Sequence, residues 1–137
     1  PSSRTTTPPT PTRRRSMTGD AADSADASDD ADADAPVTAY VTAPRDAAAD
    51  LARRLVDARL AACVNVVDCT STYRWDGTVH EDAESILFVK TTADRYPALT
   101  ERLVEWHPHD VPCVERIDAS DAYGPFAAWC ADAVDGA

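Results

Sequence analysis

Glycine is scarce in this sequence: four in 137 residues, at Gly19, Gly77, Gly124 and Gly136. No Gly-rich phosphate cradle can be assembled from them, which argues against P-loop and Rossmann nucleotide sites. Lysine is scarcer still. Lys90 is the only one, and the other twelve of the thirteen basic residues are Arg. Against them stand 24 acidic residues, for a net charge of −11. A surface so short of positive charge is poorly suited to releasing counterions from nucleic acid or to binding an anionic membrane, so neither partner is expected. No apolar run approaches the roughly 20 residues of a membrane-spanning helix. The four cysteines, Cys63, Cys69, Cys113 and Cys130, contain no CxxC pair, which argues against a zinc knuckle or a thioredoxin motif. Ser71, Ser85 and Ser120 lack a nucleophile-elbow context. No catalytic triad assembles, and the chain reads as non-enzymatic.

The charge that is present is skewed. Nineteen of the acidic residues are Asp and five are Glu. An Asp-heavy, Lys-poor, Ala-rich balance is expected of a halophile's protein, where salt screens self-repulsion. Residues 1–35 differ in kind from the rest. They are Ser/Thr/Pro-rich at first, then basic at Arg13, Arg14 and Arg15, then an alternation of Ala, Asp and Ser. The stretch has no Leu, Ile, Val or aromatic residue. It cannot bury enough apolar area to offset ordering and is expected to be a disordered acidic tail. Acidic residues follow the arginines where an export signal needs an apolar region. A cytoplasmic protein with reduced thiols is therefore expected. Met17 reads as the true start, with residues 1–16 an over-extension. The domain is then 36–137, with nine basic and seventeen acidic residues and a charge of −8.

Residues 37–43 are β-branched and aromatic and predict a first strand. From Asp46, a plausible N-cap, the pattern becomes helical, with Ala48, Leu51, Ala52 and Leu55 on one face. Residues 63–75 are extended, Asp76-Gly77 is a tight-turn dipeptide, and 78–90 return as an equally long strand. Near its end both faces of that strand are apolar, so both are expected to be covered. Residues 92–106 predict a helix with Tyr96, Leu99, Leu103 and Trp106 as its stripe and Pro97 in its first turn. A fourth strand over 111–118 follows. A C-terminal helix then places Phe126, Trp129, Cys130 and Ala133 on one stripe. The order βαββαβ plus a helix is the ferredoxin-like α+β arrangement, an antiparallel sheet with helices on one face. The β2–β3 hairpin is about twice the usual strand length. Overhanging strands leave edges that invite another chain, so a homo-oligomer is expected.

The run His107-Pro108-His109-Asp110-Val111-Pro112-Cys113 is the most informative stretch. His107, His109 and Cys113 offer imidazole and thiol ligands suited to copper or zinc. The competing reading is a helix-stop loop in which His107 hydrogen-bonds a backbone carbonyl. Cys63 and Cys69 lie about 20 Å apart along one strand and cannot share a metal ion. They and Cys130 read as buried thiols. Tyr73 and Trp75, beside the turn, read either as a stacking surface for a ligand or as a subunit interface. His80 and the carboxylates Asp76, Glu81, Asp82 and Glu84 read as solvated.

These residues also carry a pattern that resembles the CutA divalent-cation tolerance family. Val41-Thr42-Ala43-Pro44 looks like its first block, and Leu60-Ala61-Ala62-Cys63-Val64-Asn65 like its second. Tyr73-Arg74-Trp75-Asp76-Gly77 resembles its hairpin motif. Phe88-Val89-Lys90-Thr91, Tyr96-Pro97-Ala98-Leu99, His107-Pro108 through Asp110-Val111-Pro112, and Tyr123 with Trp129 continue it in order. The resemblance implies a ferredoxin-like subunit, a tight homotrimer built through the hairpins, tolerance of divalent ions and no established catalysis. The copper site of part of that family, a first-strand Cys and two adjacent His, falls here on Val41, Trp106 and His107. Only His107 carries over. The expectation is a trimer with no obligatory cofactor, binding copper or another divalent cation weakly through His107, with His109 and Cys113 as local additions. A different class is a PII-like signalling trimer with a small ligand between subunits near Trp75, Lys90 and His107, the cleft also taking in Tyr73 and Cys63. An acylphosphatase-type enzyme on this scaffold needs a positioned Asn, and Asn65 stands alone without a Gly-rich loop.

Overall fold

The computed structural model describes residues 33–136. The tail and start assignments for residues 1–32 lie outside the described residues. Residues 33–35, which composition assigns to the tail, are hydrogen-bonded: the Ala93 and Asp94 N–H groups donate to the carbonyls of Ala35 and Ala33.

Strand β1 (Pro36–Pro44) has strictly alternating burial. Val37, Ala39, Val41 and Ala43 are buried. Helix α1 (Arg45–Asp57) starts directly after Pro44, which has extended dihedrals and no side-chain cap. The strand thus runs straight into the helix, and Asp46 lies in the first turn rather than at the N-cap. There its charge favours the helix dipole. At the other end Arg59 takes a left-handed conformation with φ 60°. Its side chain donates to the Ala133 carbonyl at 3.2 Å.

Strands β2 (Cys63–Trp75) and β3 (Thr78–Thr92) pair along their whole shared length, from Cys63 opposite Lys90 to Trp75 opposite Thr78. Asp76 and Gly77 both have positive φ, 60° and 75°, as a type I′ hairpin turn requires. β1 covers β3 only as far as Glu84, so the outer hairpin is a two-stranded arm. Helix α2 (Tyr96–Trp106) is shorter than expected because Thr92 stays in β3, and Pro97 occupies its first turn. Strand β4 (Val114–Asp118) also starts late. The sheet order is β2-β3-β1-β4, and every pairing is antiparallel.

The main core lies on one sheet face. Ala39, Val41, Leu87 and Val89 meet Ala48, Leu51 and Leu55 of α1 and Leu99 and Leu103 of α2. One residue out of step, Tyr40 and Phe88 occupy the other face, edge to face with centroids 5.8 Å apart. Helix α3 (Gly124–Ala133) packs on β3 and β1. Its Cys130 packs with Ala62 and feels the charges of Cys63 and Lys90, which share the Tyr40–Phe88 face by strand alternation. The helices are therefore divided between the two faces, not gathered on one. The end of β3 is covered on both sides, and the consecutive Thr91 and Thr92 are both buried. The expected α3 stripe is also split. Cys130 is buried, whereas Phe126 and Trp129 stack on each other at 5.9 Å and remain exposed.

Candidate functional site

Helix α2 ends at His107, whose backbone N–H still donates to the Leu103 carbonyl at 2.9 Å. Pro108 has no N–H to continue the ladder. The chain turns, and the imidazole folds back onto β1. The β1–β4 ladder stops at Val41 opposite Val114. One residue further, the Thr42 carbonyl accepts a hydrogen bond from His107 Nε2 at 2.8 Å. His107 Nδ1 accepts from the His109 backbone N–H at 3.0 Å. A side chain thus supplies the rung that the short strand does not. This network assigns the proton to Nε2 and leaves the imidazole neutral. Burial lowers the His107 pKa below its ordinary 6.5. The Thr42 bond and the Glu84 charge oppose that shift, while His109 reinforces it.

The His109 ring lies 5.0 Å from that of His107, centroid to centroid. Cys113 reaches the same strand residue, hydrogen-bonding Thr42. Burial, then the Glu115 charge, pushes its thiol up, and Thr42 only partly offsets them. Thiolate, not thiol, is the metal ligand. His107 and Cys113 therefore both reach Thr42, with His109 against the His107 ring, but both His107 nitrogens are engaged and burial favours the protonated Cys113 thiol. Among the described residues no group of three or more His, Cys, Asp or Glu side chains converges as a metal cage. The helix-stop reading of His107 describes the geometry observed.

Thr42 and Glu84 carry weight that sequence reasoning missed. Thr42 sits in a plain strand run, and nothing local marks it. Glu84, expected to be solvated, is 8 % exposed. Its carboxylate accepts from the Ser71 hydroxyl at 2.8 Å. Arg45, the first residue of α1, donates to the Glu84 and Cys69 carbonyls at 3.2 and 2.7 Å. It thereby fastens the helix start across the hairpin. The pairing of β1 with β3 ends at Glu84, which explains why its side chain is covered while the outer carboxylates are not.

The proposed cleft residues separate into two groups. Cys63 and Lys90 face each other at the base of the hairpin. Tyr73 and Trp75 lie near its tip, about 33 and 40 Å from Cys63 respectively at roughly 3.3 Å per residue. Within one chain they form no common cleft. Tyr73 stacks on His80 at 5.3 Å and donates its hydroxyl to Asp82. Burial and that bond push its pKa up to about 12. His80 also places Nε2 3.3 Å from the Trp75 carbonyl, so it is held in the arm rather than solvated.

The family model for the CutA1 divalent ion tolerance protein matches residues 37–133. The chain is 41 % identical over 110 residues to the protein CutA homolog of Xenopus laevis, covering 79 % of this chain and 73 % of that one. It is 42 % identical over 91 residues to the divalent-cation tolerance protein CutA of Thermus thermophilus, covering 65 % and 88 %. Among solved structures, CutA1 of Oryza sativa superposes with a TM-score of 0.71 at 34 % identity, covering 75 % of this chain and 97 % of that one. The periplasmic divalent cation tolerance protein CutA of Archaeoglobus fulgidus gives 0.71 at 28 %, covering 73 % and 99 %. The hairpin, the two-sided helix arrangement and the His107 loop described above are thus those of a chain that belongs to the CutA1 divalent ion tolerance protein family.

Proposed function

We propose that this protein acts in divalent metal ion tolerance as a non-catalytic cytoplasmic homotrimer that binds copper or another divalent cation weakly. The observation that carries the reading is the family match over residues 37–133, together with relatives named for divalent-cation tolerance. Metal entry at the His107 loop needs one His107 nitrogen to exchange its protein partner for the ion. That exchange makes the binding weak, since a satisfied hydrogen bond is given up. Copper(II) calorimetry on the wild type is expected to show saturable binding that His107→Ala removes, with circular dichroism checking that the variant stays folded. Undiminished affinity in the folded variant takes His107 out of the site. Absence of saturable binding in the wild type overturns the metal reading.

The two-stranded arm supports the trimer. Val66, Val67 and Val79 on the hairpin are exposed, and apolar surface of this kind is buried in stable assemblies. Light scattering is expected to give a mass near three subunits in molar KCl. The salt series also tests the halophilic reading of the Asp-rich composition, which expects the assembly to tighten as salt rises. A monomer throughout contradicts the trimer.

A PII-like signalling trimer is the second reading, favoured by the engaged nitrogens of His107. Trp75 and Lys90 lie at opposite ends of one hairpin, so a ligand touching both needs two subunits. Small-ligand binding that disappears on trimer dissociation, with no metal binding, is its expected signature.

A further inference from the structure

We propose that Arg45 is the pivot clamp of the hairpin arm: it fixes the angle at which residues 69–84 leave the body of the domain. The third strand stops at the root of that arm, because β1 pairs with β3 only as far as Pro44 opposite Glu84. Beyond it β2 and β3 have only each other, from Thr70 opposite Ala83 to Trp75 opposite Thr78. A lone two-stranded ribbon is marginal in water and strongly twisted, so bending concentrates where the third strand ends. Pro44, the last residue of β1, has no N–H to give there.

Arg45 follows directly as the first residue of α1. That helix is seated on the core through Ala48, Leu51 and Leu55, so the Arg45 backbone moves with the body. Its guanidinium reaches both strands at the arm root. Nε donates to the Glu84 carbonyl on β3 at 3.2 Å, and Nη2 donates to the Cys69 carbonyl on β2 at 2.7 Å. Those two residues face each other across the hairpin. One rung inward, Nε lies 3.6 Å from the Asp68 carboxylate, which also accepts from the Ser85 hydroxyl at 3.2 Å. The nearly buried Glu84 carboxylate accepts from Ser71 at 2.8 Å and so ties the root to β2 two residues further out. A planar guanidinium fork binds two carbonyls with fixed donor directions, which a Lys ammonium on a flexible stem does not match. The clamp therefore holds both strands to the body at the point of greatest bending. Its consequence is an arm set in one pose before a partner arrives, which lowers the ordering cost of association. That consequence rests on the trimer reading; the clamp itself does not.

The test is hydrogen–deuterium exchange of the full chain, read by peptide mass spectrometry over a series of protein concentrations, with light scattering of the same samples. In Arg45→Ala, exchange of the amides in 70–83 is expected to rise about tenfold, the effect of two lost hydrogen bonds on a local opening. Amides of β1 and α2 are expected to stay within about twofold of the wild type, since the opening is confined to the arm. Arg45→Lys is expected to show the same change at smaller size, and it keeps the test readable if Arg45→Ala does not fold. Assembly of both variants is expected to need a higher protein concentration than the wild type. Arm exchange unchanged in both variants at every concentration overturns the proposal. So does a rise spread evenly over arm and body, or Arg45→Lys exchanging as the wild type does. Unchanged assembly with a loosened arm overturns the consequence drawn for association. A wild type that stays monomeric at every concentration overturns the trimer reading alone, and the arm exchange still decides the clamp.

Discussion

Replacing His107 with Ala is expected to destabilise the fold by about 2–4 kcal/mol, because two backbone groups lose their partner in a poorly hydrated place. These are the Thr42 carbonyl and the His109 N–H. The effect exceeds that of a surface loop substitution because the imidazole closes the gap where the β1–β4 ladder ends. It also has a pH signature. The unfolded imidazole titrates near 6.5, and the folded one lower, principally through burial. Between those two values the unfolded chain binds more protons, so stability rises with pH. The contribution is full above pH 6.5, falls as the pH drops through that value, and is lost below the folded pKa. Protonation also removes the Nδ1 lone pair that receives the His109 N–H. Urea midpoints from pH 8 to pH 4.5, at one protein concentration, check this. The wild type is expected to lose stability across that window relative to His107→Ala. Parallel curves for the two proteins contradict the assignment.

Leu103→Ala is expected to cost about 2–5 kcal/mol, the range for a fully buried Leu whose cavity collapses only in part. Leu103 is fully buried. It belongs to the cluster in which α2 meets Leu51 and Leu55 of α1 and Leu87 and Val89 of β3. A melting midpoint lower by roughly 10 °C or more is the expected reading for a domain of this size. Its neighbour Val104 is 45 % exposed, and Val104→Ala is expected to change stability by less than about 0.5 kcal/mol. Equal losses for the two variants contradict the packing of α2 described above.

The contrast between Leu103 and Val104 was readable in advance, since helical spacing separates the inward stripe from the outward one. The same spacing failed for α3. Phe126, Trp129 and Cys130 share a helical stripe, yet one chain presents only enough surface to bury Cys130. Glu84 failed for the opposite reason. It stands in a run of exposed acidic residues, but the last rung between β1 and β3 falls on it and covers it.

Local sequence determined the elements and their order. Apolar period two marked the strands, period 3.6 marked α1 and α2, and Asp76-Gly77 set the hairpin register, because each of these depends on neighbours a few residues apart. Composition set the expectation of which broad partners to discount, and the ordered motif blocks carried the family. The tertiary structure alone decided what His107 does. Its bond to Thr42 spans 65 positions and exists because β1 is central and β4 is short. It alone placed α3 on the second sheet face, packed Cys130 against Ala62, and parted Tyr73 and Trp75 from Cys63 and Lys90. Such contacts follow from strand order and strand length, which no window of neighbouring residues encodes.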